Sequence, residues 1–168
     1  MSRLALSRSF FLDEFTRSQT AARHGIDMRV DPDGPVFANL QRLCMRVLQP
    51  LRDALGPVHV TSGYRPLPLN RRIGSQDGSA HVSGRAADIV VMGYTPLEVA
   101  RWIERHLRDY DQLIHEFGQW VHVAIAWPDR PAREQLLTAV KIERGLLRPR
   151  TVYVPGILSV EAAQREAA

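Results

Sequence analysis

One charge interrupts an otherwise apolar run in this chain. Asp88 stands alone in Ala87-Asp88-Ile89-Val90-Val91, a segment that reads as a buried strand. A carboxylate in that setting needs a positive partner, because burying an unpaired charge costs on the order of several kcal/mol. Any fold open to this chain must therefore bring such a partner to Asp88. His81, seven positions earlier in His81-Val82-Ser83-Gly84-Arg85-Ala86-Ala87-Asp88, and His122, 34 positions later in Trp120-Val121-His122-Val123, complete the group. Two imidazoles and one carboxylate are the ligand set of a catalytic zinc, whose fourth position stays open to water. Separations this wide require a folded sheet to gather the three, with Gly84 placed where the backbone passes close to an ion. Taken singly, either histidine reads as a core or surface imidazole with an ordinary hydrogen bond.

At 168 residues the chain suits one domain that buries roughly 70% of its unfolded surface, so a metal is not needed merely to fold. The single cysteine, Cys44, lies in an apolar helical pattern and excludes both an internal disulfide and a cysteine-rich zinc cage. A net charge of +4 favours an anionic partner without requiring one. Its arginines, among them Arg65, Arg71, Arg72, Arg101, Arg105 and Arg108, are scattered and carry no nucleic-acid motif, so nucleic acid is not an expected partner. The amino-terminal apolar run is too short, and too soon charged, for a secretory signal or a membrane span. Synthesis in the cytoplasm is expected, and a substrate beyond the membrane would need another factor to release or carry the protein.

Val36, Leu40, Leu43, Val47 and Leu51 recur at helical spacing and predict a helix that packs on a sheet, kinked near its end by Pro50. Val58 to Thr61 predicts a short strand, ended by the turn residues Ser62-Gly63-Tyr64-Arg65-Pro66, which puts Arg65 at a strand's edge. The Gly-, Ser- and Pro-rich stretch from 66 to 84, with one short helix around 69–73, predicts the irregular rim of a cleft that His81 closes. Thr95-Pro96-Leu97-Glu98 carries the capping residues of a further helix, with Leu97, Ala100, Ile103 and Leu107 inward. Residues 111–116 and 119–126 predict a hairpin turning tightly at Phe117-Gly118. Alternation in its second strand puts Val121, Val123 and Ile125 on one face and Trp120, His122 and Ala124 on the other, so His122 faces a cleft. Beyond Pro128 the pattern predicts one helix over 133–143 and then a tail of uncertain structure over 146–168, leaving 1–145 as the single functional domain.

The combination Ser62-Gly63-Tyr64-Arg65, Asn70, Gly74, Ser79-Ala80-His81, Gly84, Ala86-Ala87-Asp88-Ile89 and Trp120-Val121-His122-Val123 resembles the zinc D-alanyl-D-alanine carboxypeptidases. These form the peptidase M15 family, and the likeness is to its subfamily A and to small phage-associated wall hydrolases. Phe15, Asn39-Leu40, Leu48-Gln49-Pro50-Leu51-Arg52 and Asp111-Gln112-Leu113-Ile114 extend the likeness over roughly residues 7 to 140. The resemblance implies a single small α+β domain of the hedgehog and D-Ala-D-Ala-peptidase kind, an antiparallel sheet flanked by helices. It also implies the stem or cross-link peptides of bacterial peptidoglycan as substrate and the bacterial cell wall as the place of action.

In that reading Zn2+ sits on His81, Asp88 and His122, although nickel, cobalt and copper also accept nitrogen and oxygen ligands. Glu116 is the candidate general base, at the end of the strand beside His122. Relatives often carry their acid/base three positions before the last ligand, but here that position is Gln119, which does not take a proton. His115 competes, since adjacent strand residues face opposite sides. Arg65 is expected to hold a substrate carboxylate or polarise the scissile carbonyl, Ser79 to hydrogen-bond the site or substrate, and Trp120 to wall the cleft. Two readings from other classes stay open: a non-catalytic, metal-stabilised wall-binding module, favoured by Gln119, and a phage structural component that retained the fold.

Overall fold

The computed structural model describes residues 3–145 and 147–168, the side chains of Arg144 and Leu147 excepted. Residues 1 and 2 of the amino-terminal run, and residue 146 where the tail was expected to begin, lie outside the described residues. Six strands form one sheet in the order β1-β2-β4-β3-β5-β6: β1 Val58–Ser62, β2 Ala86–Val91, β3 Tyr110–Glu116, β4 Trp120–Ile125, β5 Gln135–Arg144 and β6 Leu147–Pro155. All neighbours run antiparallel except β3 and β5, which are parallel. With its flanking helices this is a single small α+β domain of the expected class.

Helices cover one face of the sheet. The helix α3 Pro35–Leu43 and the helix α4 Gln49–Leu55 are joined by a π-helical turn over Cys44–Leu48. That turn explains how Pro50 is tolerated: the Gln49 N–H reaches back to the Cys44 carbonyl, widening the backbone just before a residue with no N–H to give. Leu40, Leu43, Val47, Leu48 and Leu51 from this stretch pack with Val99, Ala100 and Ile103 of α6 Pro96–His106 against Ile89, Leu113, Val121, Val123 and Ile125. Thr95 and Glu98 close the predicted capping box of α6. Cys44 is buried in this core, which pushes its thiol far up and leaves it inert.

The prediction of a helix over 133–143 is corrected: that stretch is the strand β5. Its β-branched residues Thr138, Val140 and Ile142 fall on alternate positions, and it gains ladders on both sides, parallel to β3 and antiparallel to β6. No local pattern announces those two partners, and pairing overrides the propensity of Glu134 to Glu143 for helix. The tail reads as β6 followed by α7 Val160–Ala167, whose Ala163 packs on Val140 and Val154. Among the described residues no helix is long and apolar enough to cross a membrane.

The other face of the sheet is where the chemistry lies. The short helix α1 Leu12–Phe15 stands against β1 and a 3₁₀ turn over Ala80–Ser83 against β2, while two further short helices, α2 Gln19–Arg23 and α5 Leu67–Arg72, flank β1 in the chain. Gly63 approaches α1 so closely that a Cβ there would lie 2.6 Å from the Phe15 Cα. Gly84, at φ 70°, ends the 3₁₀ turn in a left-handed conformation, and its Cβ would lie 2.8 Å from the Val36 carbonyl oxygen. The close approach at Gly84 is thus to α3.

Candidate metal centre

The register of the ladders brings the site together. Asp88 on β2 pairs directly with His122 on β4, so the two side chains share a face. His81 comes from the 3₁₀ turn, with Ser79 half-buried at the turn's start. The Asp88 Oδ1 lies 2.8 Å from His122 Nδ1 and 3.2 Å from His81 Nε2. His81 Nε2 and His122 Nδ1 are themselves 3.2 Å apart. All three residues are buried, His81 completely.

These separations fit an ion. Ligands about 2.0–2.1 Å from a tetrahedral centre stand about 3.3 Å from each other, close to the triangle found here. The His81 Nδ1–H donates to the Gly63 carbonyl at 2.7 Å, which turns the unprotonated Nε2 toward Asp88 and fixes the tautomer a metal ligand needs. A lone pair and a carboxylate then converge beside the second imidazole, an arrangement that a divalent cation satisfies. Among the described residues His81, Asp88 and His122 are the group able to hold a metal. Burial raises the Asp88 carboxyl, yet the positive charge that the neighbouring imidazoles carry when protonated outweighs it and holds the group well below the usual carboxylate range. Burial pulls the His81 imidazole down, which favours the neutral ring.

Glu116 stands on the same face. It pairs with Trp120, two positions before His122 on β4, while Ile114 pairs with His122 itself. The Trp120 indole Nε1–H donates to the Glu116 Oε2 at 3.0 Å. Burial, aided by the negative charge of Asp88, raises the Glu116 carboxyl above its ordinary value, against the pull of His122, the Trp120 bond and Arg65. His115 points the other way. It is buried on the helix-covered face, where its Nδ1 lies 2.8 Å from the Leu158 carbonyl oxygen, the bond of a core histidine. Gln119 is exposed in the hairpin turn, where its backbone N–H donates to the Glu116 carbonyl.

Arg65 closes the opposite side. Its Nη1 lies 3.6 Å from Asp88 Oδ2 and donates to the Ser62 hydroxyl at 3.4 Å, and its Nε is buried with no hydrogen-bond partner among the described residues. A buried guanidinium with a spare donor is suited to an incoming carboxylate or carbonyl. A cavity of about 510 Å³ opens beside it, lined by Arg65, Ser62, Tyr64, His59, Glu14 and Arg17. The link from Trp120 to Glu116 was missed by sequence reasoning. It would have followed from alternation had the loop length of the hairpin been known.

The comparison with curated proteins returns no match. Residues 8–124, which carry Arg65, the three candidate ligands and Glu116, match the family described as Peptidase M15. With that match spanning most of the chain, and a buried His-Asp-His group of metal-binding dimensions at its centre, the protein belongs to the peptidase M15 family.

Proposed function

We propose that the chain is a zinc-dependent peptidase that hydrolyses peptide bonds in the stem or cross-link peptides of bacterial peptidoglycan, of the D-Ala-D-Ala carboxypeptidase type. The observation that carries this reading is the triangle of His81, Asp88 and His122 with Glu116 and Arg65 on either side. Its branch is that of the subfamily A-like, phage-associated wall hydrolases, which act at the bacterial wall. The peptidase domain is assigned to residues 1–145, and β6 and α7 in the segment after it add the outer strand and its covering helix to the same sheet.

His81, Asp88 and His122 would hold the zinc ion, which when bound would supply Lewis acidity and bring the pKa of a water from about 9 for the aqueous ion to about 7. The protein's own residues do the rest. Arg65 anchors a substrate carboxylate or steadies the negative charge that grows on the scissile carbonyl. Glu116, its proton affinity raised by burial, removes a proton from the attacking water and returns it to the departing amine. Trp120 keeps that carboxylate aimed into the cleft through its indole bond. Ser79, at the rim beside His81, offers a hydroxyl to the substrate.

The test is incubation of the purified protein with defined muropeptides, with and without a chelator, and identification of the products by mass. Release of D-alanine or of a cross-link fragment, lost on chelation and restored by zinc, is the expected result. Cleavage that survives chelation contradicts the reading, and wall binding without any cleavage points to a non-catalytic module.

A further inference from the structure

We propose that Tyr153, on the strand β6 beyond the family-matched residues, is a substrate-contacting residue that forms the cleft wall on the Glu116 side, across the metal centre from Arg65. The inference rests on the peptidase reading above and adds a subsite to it.

The sheet register carries the argument. Glu116 on β3 pairs with Ala139 on β5, and Ala139 pairs with Tyr153 on β6, so the three side chains form one row on the site face. The intervening residue is the smallest that keeps a Cβ, which leaves room above it for the tyrosine ring to lean toward Glu116. Ala139 is fully buried although α7 packs on the opposite face through Val140 and Val154, so side chains on the site face cover it as well. Tyr153 itself remains 53% exposed, in contrast to the buried Val154 beside it. A large aromatic ring left half in solvent on the site face is available to a ligand.

The chemistry fits the place. Two strand spacings of about 4.8 Å put Tyr153 about 10 Å from Glu116 along the sheet. Three extended peptide residues span about that backbone distance. Burial, with the carboxylates of Glu116 and Asp88, pushes the phenol up, so it stays protonated at neutral pH and serves as a donor. The edge-on pair of Phe117 and Trp120, ring centroids 5.7 Å apart, adds apolar surface on the same flank. Tyr153 therefore gives its hydroxyl to a main-chain carbonyl of the bound peptide and its ring to a neighbouring side chain.

The experiment compares wild type, Tyr153→Phe and Tyr153→Ala in the zinc-loaded, full-length protein. A stem pentapeptide supplies kcat and KM, and calorimetric titration of the shortened product peptide, which is not turned over, supplies a Kd. Loss of one neutral hydrogen bond predicts that Tyr153→Phe raises both KM and Kd about fivefold. Loss of the ring as well should raise both further in Tyr153→Ala. In both variants kcat stays within about twofold, as expected for binding shared by ground and transition states, and metal content is unchanged. Wild-type KM and Kd in both variants overturn the inference and leave the peptidase reading standing, as does a fall in kcat alone or a loss of metal. A wild-type protein that neither binds nor cleaves the peptide defeats that reading and this inference with it.

Discussion

Between Trp120 and Asp88 the Glu116 carboxylate is subject to opposing forces, and their balance sets its use. Burial and the Asp88 charge favour the protonated form, while His122, the indole N–H and Arg65 favour the charged one. The net upward shift moves Glu116 toward the range in which a carboxylate works as a base near neutral pH. In the proposed mechanism Glu116 acts as a base only when deprotonated, so kcat/KM should rise with pH through a limb lying above the ordinary carboxylate value of 4.5. Glu116→Gln is expected to cut kcat about 10²- to 10⁴-fold while metal content holds. Trp120→Phe removes a donor to the charged form, so its acid limb should move to higher pH. A pH profile of the Phe variant that superimposes on wild type would remove Trp120 from this role.

Among the elements, the 3₁₀ turn over Ala80–Ser83 is the one most exposed to small errors, because it alone supplies a ligand from outside the sheet. Its exit depends on Gly84 holding φ 70° against α3. Gly84→Ala meets both a left-handed backbone penalty and the Val36 carbonyl at 2.8 Å. The expected cost is about 2 kcal/mol or more, read from the urea midpoint. Because the displaced turn carries His81, metal affinity should fall too, and an alanine variant with wild-type midpoint and affinity would show that the turn is not clamped. The strands are more robust, since Asp88 and His122 are fixed by an antiparallel ladder four pairs long.

For the whole molecule, a cation bound to the native centre and not to the unfolded chain is a stabiliser. Zinc at a hundred times its dissociation constant adds about 2.7 kcal/mol. In a chain of this length that is a thermal midpoint higher by roughly 5–10 °C. Chelation should erase the difference, while Asp88→Asn or His122→Ala should show no zinc-dependent rise at all. An identical midpoint with and without chelator in the wild type would mean that the triangle holds no ion. The same scale explains the tail: β6 gives β5 its outer partner, and α7 covers Val140 and Val154. Residues past the matched family region therefore complete the sheet.

His81 and His122, ordinary imidazoles when read singly, were legible only together with Asp88 and the family likeness, and Asp88 itself was legible because a lone charge in an apolar strand is a local pattern. The amphipathic run through α3 and α4 and the capped α6 were legible for the same reason, as periodicity and caps are local. The choice between Glu116 and His115 was not. A two-residue loop at Phe117-Gly118 would pair Glu116 with Gln119 and turn His115 toward the site. The loop formed instead pairs Glu116 with Trp120, and the Phe117 N–H docks on the Ala139 carbonyl of β5. A shift of one residue exchanges every side chain between the two faces of a strand. That register, like the strand nature of β5 and the place of Tyr153, depends on partners distant in the chain, so only the folded sheet decided it.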